Sequence, residues 1–260
     1  MDVRKNFMIT DENLYYVRAV FIMFNNFVKV EGGIFVRTKD IQFKKGLSFT
    51  QITVKVNDFY IDDFVVTQGD WNSVMDYNPS YFKNDDLPVE TVGWHEAVLF
   101  CNMKSEKDGL QPCYTINGEN VACDFLANGY RLPTEAEWEF AAIGGNKSKG
   151  YRYAGSDNLD EVAWYAKNAG KITHPRGKKL PNELCLYDMC GNVFEWCWDW
   201  YDKFDCDYMD NPTGPPKGKM KVSRGNNWVN GESVSDITRR VHRDVNAKTH
   251  HQGFRIARTK

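Results

Sequence analysis

The chain has 260 residues, 42% of them hydrophobic, with 33 Lys and Arg set against 35 Asp and Glu. That is apolar material for one well-buried domain, and a net charge of -2 leaves no basic footprint for nucleic acid. No apolar run approaches the roughly 18 residues that cross a bilayer, while 8 Trp, 13 Tyr and 16 Phe point to a core built around rings.

In chain order, residues 1–27 read as an extension. Residues 15–30 (YYVRAVFIMFNNFVKV) are apolar, but Arg18 and the Asn25-Asn26 pair interrupt them and no small-residue cleavage site follows. A packed strand or helix is expected there rather than a signal peptide, and no Cys precedes Cys101 to serve as a lipobox. A single domain over 28–260 follows. Residues 51–60 (QITVKVNDFY) alternate as a strand. Thr67 and Asp70 open a short helix carrying Trp71 and Val74 on one face. Trp94, Ala97, Val98 and Cys101 recur at helical spacing, predicting a helix from 94 to about 107 with Gly109 as its stop. In 129–145, Thr134 and Glu137 have capping-box spacing, Trp138, Ala141 and Ala142 share a face, and Gly144-Gly145 ends the helix.

Seven cysteines are an odd number with no paired CxxC spacing. Cys113 and Cys123 flank CYTINGENVAC, where Asn117-Gly118 signals a hairpin turn that sets them opposite each other. A disulfide there and a set of small buried thiols are both open. Further on, Phe194, Trp196, Trp198 and Trp200 alternate along a strand, which puts four rings on one face, read as core packing rather than a stacking platform.

The C-terminal part holds a contrast. The blocks GNVFEWCWDW (191–200) and GFRIAR (253–258) bracket residues 229–252, which contain no Phe, Tyr, Trp, Leu, Cys or Pro but three of the five His. With so few large anchors, such a segment is displayed rather than packed.

Taken in order, GYRLPTEAEWEFAA, PNELCLYDMCGNVFEWCWDWY, SRGNNW and GFRIAR resemble the formylglycine-generating enzyme or sulfatase-modifying factor family over 28–260. The resemblance implies an α+β, C-type-lectin-like fold of the formylglycine-generating type: two helices, small twisted antiparallel sheets and much irregular structure. In the enzyme a redox-active cysteine pair follows the SRGNNW-like turn. Here Asn230 and Ser235 stand in those places and no cysteine occurs after Cys206. Copper-dependent thiol oxidation needs that soft thiolate pair, so the expectation is no enzyme of this kind and no catalytic metal. The family also implies one structural calcium on Asp188, the carbonyls of Gly191 and Val193, and Glu195, with turn capping as the alternative for the two carboxylates.

A thiol-free, aromatic-poor segment in this place resembles the variable proteins of diversity-generating retroelements, whose C-terminal region, here about 224–258, is rewritten at template adenines. Asn codons mutated this way yield many residues but never Glu, Gln, Lys, Met or Trp. Within 229–252 only Glu232, Lys248 and Gln252 fall outside the reachable set. The implied ligand surface is Asn227, Val229, Asn230, Gly231, Ser233, Val234, Asp236, Arg239, Val241, His242, Arg243, Asp244, Asn246, Ala247, Thr249, His250 and His251, with Ile237 and Phe254 as anchors. The expectation is a monomeric, non-catalytic display protein on a bacterial surface, binding a protein or another cell-surface ligand. The alternatives are a related enzyme or accessory protein using non-cysteine residues, and a fixed structural or carbohydrate-binding module.

Overall fold

The computed structural model describes residues 27–43, 46–204 and 208–259. The apolar run before Phe27, where a leader and a packed element were weighed, lies outside the described residues.

The chain begins with β1 (Phe27–Val30), β2 (Gly33–Phe43) and β3 (Gly46–Val56), followed by β4 (Phe59–Asp62). The single strand expected over 51–60 is therefore two. Its buried set runs Ile52, Val54, Val56 and then Phe59, Ile61, a change of phase across Asn57-Asp58 that moves the apolar side chains to the other face of the chain. Helix α1 (Gln68–Asn72) starts at Thr67, whose hydroxyl accepts from the Asp70 amide while Asp70 accepts from the Thr67 amide. Helix α2 (Trp94–Lys107) buries Trp94, Ala97, Val98 and Cys101 as the spacing predicts, and Gly109 leaves it at φ +70°.

The hairpin β5 (Tyr114–Asn117) and β6 (Asn120–Cys123) turns on Gly118-Glu119, with Gly118 at φ +60°. Its register pairs Tyr114 with Cys123, one residue away from the pairing a Cys113–Cys123 disulfide requires. Both thiols are free, Cys113 buried and Cys123 half-buried. After β7 (Tyr130–Arg131), helix α3 (Glu135–Ala142) carries the expected capping box, but every one of its residues is buried, not one face. Two of those residues, Glu135 and Glu139, need cationic partners as a result. The short α4 (Leu159–Val162) and a long irregular stretch lead to β8 (Phe194–Trp200), β9 (Tyr208–Asp210) and β10 (Lys221–Arg224). The chain closes through β11 (Val241–Arg243), β12 (Gln252–Gly253) and β13 (Ala257–Thr259).

Three sheets and the hairpin result: β1-β4-β13-β7, β11-β10-β8-β12 and β2-β3-β9. Most pairings are antiparallel, but β12–β8 and β3–β9 are parallel. Strand β8 divides two apolar clusters. Cys197 joins the one around Trp138 and Phe140 on α3, and Trp196 joins the one around Trp71, Trp94 and Phe100. The alternating rings of β8 are thus core, as expected, with Trp198 and Trp200 half-buried and wrapped with Trp94 around the Lys221 ammonium. No helix among the described residues is long and apolar enough to cross a membrane.

Candidate functional site

The two motif blocks that bracket the polar segment are held together beneath it. Gln252 and Gly253 pair in parallel with Phe194 and Glu195, and a side chain at Gly253 would meet the Val89 carbonyl at 2.6 Å. Arg255 then grips Glu195 with Nε on one carboxylate oxygen at 2.6 Å and Nη2 on the other at 2.8 Å, and the Trp138 indole donates to the same carboxylate at 2.7 Å. All of this is buried, where a charged pair persists only when its hydrogen bonds are satisfied.

That arrangement tests the calcium site. Both Glu195 oxygens already accept, one from the Arg255 Nε and the Trp138 indole and the other from the Arg255 Nη2. Asp188, at φ +60°, accepts from the Gly177 amide through one oxygen, while its other oxygen is buried and, among the described residues, meets no partner. Burial raises its pKa to about 6. Gly191 and Val193 are buried beside it. Calcium needs several hard oxygens together; the second Asp188 oxygen is free to serve, while Glu195 already accepts from three donors. Glu195 is an ion-pair partner here.

The polar segment itself is fastened at many points. Gly225, at φ +78°, turns the chain out of β10. Asn226 donates to Ser235 at 2.6 Å, and Ser235 donates to the Gly231 carbonyl. Arg224 donates to the carbonyls of Ile237 and Thr238 and pairs with Glu135 and Glu139, while Arg240 forms a side-on pair with Glu135 at 2.6 and 2.7 Å. Burial pushes the Glu135 carboxyl up, but Arg240, Arg37 and Arg224 overcome this and hold it at about 2. Scaffold amides of Thr91, Trp94 and Phe194 donate to the carbonyls of Thr249, Val245 and His251. The backbone is thus bonded to the scaffold along its length, although only β11 is regular strand.

Those bonds set a simple alternation from 241 to 251. His242, Asp244, Asn246, Lys248 and His250 are exposed, and Val241, Arg243, Val245, Ala247, Thr249 and His251 between them are half-buried. Ahead of this strip, Val229, Gly231, Ser233 and Arg239 are exposed and Asn230, Val234 and Asp236 half-buried. Asn227 is a correction: it is 1% exposed, and its side-chain carbonyl accepts from the amides of Val229 and Asn230 at 2.8 and 2.9 Å. It shapes the turn and presents nothing outward. Ile237 and Phe254 are buried anchors as expected. Ser235, at one of the two enzyme-thiol positions, is buried in the hydrogen bonds above, and the Asn230 carbonyl accepts from the Ala166 amide.

Sequence reasoning missed the scaffold's share of this face. Tyr81 is 72% exposed, and its ring lies 5.6 Å from that of His250. Phe82 meets both Trp228 and His250 edge-on at 5.6 and 6.5 Å. The Trp228 indole holds the His250 carbonyl. Nothing in the local text around Asn78-Pro79 marks those rings as surface, because exposure depends on a segment 170 residues away. The His242 ring instead lies tilted against that of Tyr201, with centroids 4.5 Å apart. His251 is pushed down to about 4 by burial, then by Arg243 and His250.

A sequence profile of the sulfatase-modifying factor enzyme 1-like domain matches residues 18–260. A chaperone protein LppX of Paenibacillus barcinonensis is 38% identical over 91% of this chain and 90% of its own. Cattle formylglycine-generating enzyme is 28% identical over 74% of this chain, which spans 49% of that relative. Among solved structures, Treponema denticola variable protein 1 superposes with a TM-score of 0.78 at 32% identity, over 89% of this chain and 95% of its own. The likeness to variable proteins drawn from the thiol-free, aromatic-poor segment is thereby matched in three dimensions, and the α+β, C-type-lectin-like fold of the formylglycine-generating type, expected from the four motifs, stands with it. Profile, relatives and fold agree: the chain belongs to the sulfatase-modifying factor enzyme 1-like family.

Proposed function

We propose that this is a non-catalytic binding protein whose surface from Val229 to His251 is diversified by a retroelement and displayed on a bacterial cell to recognise varied ligands. One observation carries the reading. The three residues of the segment that adenine mutagenesis of Asn codons cannot produce are all tied to the scaffold. Glu232 accepts from the Tyr153 hydroxyl at 3.2 Å, Lys248 pairs with Glu96 at 2.7 Å, and Gln252 is buried between Ser223 and Phe194. Glu232 and Lys248 make these contacts from exposed positions and Gln252 from a buried one, so all three unreachable residues touch the constant frame while reachable ones fill the other exposed steps, a pattern that supports a diversified surface. A frame bonded at this many points also lets side chains change without ordering a loop on each binding event. Absence of the cysteine pair from the sequence supports binding over thiol oxidation.

Sequencing the codons for 224–258 across many cells of the source population, with the flanking DNA, tests the proposal. Substitutions confined to template adenines, sparing codons 232, 248 and 252, are expected. The Paenibacillus relative is named a chaperone, and a fixed binding surface of that kind is the alternative. One identical sequence in every cell, with no nearby template, would select it.

A further inference from the structure

Tyr81 combines a fixed backbone with a free ring. Its neighbours are fastened to the core. The Ser80 amide donates to the Asn78 side chain at 3.0 Å, the Phe82 amide to the buried Glu90 carboxylate at 2.9 Å, and the side-chain amide of buried Gln68 to the Phe82 carbonyl at 2.7 Å. Yet the Tyr81 ring is 72% exposed, more than any other aromatic ring among the described residues. Most of its apolar area is therefore left for an association, at a position the scaffold holds still.

The ring stands where the polar segment lacks one. Residues 229–252 contain no Phe, Tyr, Trp or Leu, while binding energy at protein interfaces concentrates in a few large side chains, Tyr and Trp prominent among them. A Tyr also has only two side-chain torsions to immobilise. Tyr81 lies beside His250 with ring centres 5.6 Å apart, and the His250 carbonyl is held by the Trp228 indole. The neighbouring rings stand at 43° (His250) and 87° (Phe82) to its plane. Together they make a projecting knob rather than a flat platform for the face of a sugar or a base. We infer that Tyr81 is a constant aromatic anchor of the ligand face: its ring seats in an apolar pocket of a protein partner, and the replaceable residue 250 beside it helps set which partner. This deepens the proposed binding function and rests on it.

The test displays two libraries of the intact chain, one with Tyr81 and one carrying Tyr81→Ser. Both are varied at the exposed positions from 229 to 250 over residues reachable from Asn codons, and both are selected on lysozyme and on dextran. Lysozyme binders are expected from the Tyr81 library. Tyr81→Ser placed in each should weaken binding by about tenfold or more with melting unchanged, and Tyr81→Phe, which keeps the ring, should retain the affinity. Equal affinity with and without the ring overturns the inference, as do equally tight lysozyme binders from the Tyr81→Ser library or none from the Tyr81 library. Binders of dextran alone overturn it and assign the ring to a sugar. A Tyr81→Phe protein as weak as Tyr81→Ser also overturns it, since the hydroxyl would then carry the contact. The codon sequencing above is independent of these outcomes: a diversified segment beside a dispensable Tyr81 removes the anchor and leaves the diversification reading in place.

Discussion

Arg255 and Glu195 come from motif blocks 60 residues apart and close on each other with no water between them. Removing one member leaves the other charged and unpaired, a loss of about 3–5 kcal/mol. Glu195→Gln is therefore expected to lower unfolding stability by that order in urea titration, and a loss under about 1 kcal/mol would show the pair to be dispensable. Glu135 gives a second residue-scale prediction with a sign. Its folded pKa is near 2 against an ordinary 4.5, so the folded state holds fewer protons than the unfolded one between those values. The stabilisation it brings is complete above pH 4.5 and lost as pH falls through 2, roughly 3 kcal/mol in all. Plotted against pH, the stability gap between wild type and Glu135→Gln should stay level down to about 4.5 and then narrow. A gap that widens in acid would contradict the ion network as the cause. His251 adds a loss at milder pH, since its depressed pKa lets the unfolded state bind a proton first between about 6.5 and 4.

At the scale of elements, the exposed strip and its anchors should respond differently to the same kind of change. Replacing His242, Asn246 or His250 by Ser touches outward steps of the alternation, and each is expected to shift stability by no more than about 0.5 kcal/mol. Ile237→Ala empties a buried site and is expected to cost about 2–5 kcal/mol. Gln252→Ala strands the Ser223 hydroxyl and the Phe194 carbonyl at about 1–3 kcal/mol. Equal losses at both classes, measured by urea unfolding, would mean the strip is packed rather than displayed. The same division explains what the sequence made legible. The capping boxes at Thr67 and Thr134 and the apolar periodicity of α2 are local, so spacing alone reveals them. The break at Asn57-Asp58 was visible as a phase change but was masked by the continuing run of strand formers. The Cys113–Cys123 register turned on one residue of the turn, which composition does not fix. Glu195 could not be read locally at all, because a carboxylate suits calcium and guanidinium equally and its partner lies in a distant motif. Tyr81 and Phe82 carry no local mark of their role, because only the fold brings His250 beside them.

Under the proposed function the whole molecule is a constant frame carrying a replaceable face, and two consequences are measurable on the intact chain. Because Glu195 is committed to Arg255 and Trp138, calcium added to chelator-treated protein should leave the melting temperature unchanged; a rise that saturates with calcium would restore the ion to the 188–195 turn. The stronger consequence concerns substitution in bulk. Val229, Ser233, Arg239, His242, Asp244, Asn246 and His250 are all exposed, and the segment's backbone is held mainly by Arg224, Trp228 and scaffold amides, with one local bond from the Asn246 amide to the Asp244 carboxylate. Their separate effects are small and of either sign, and at this chain length about 1 kcal/mol moves the midpoint by roughly 2–4 °C. A variant with all seven exchanged at once for other residues reachable from Asn codons is therefore expected to melt within about 5 °C of the parent with an unchanged circular dichroism spectrum. A collapse in melting temperature, with each single variant unaffected, would show that these side chains cooperate to hold the backbone, and the face could then not be rewritten freely.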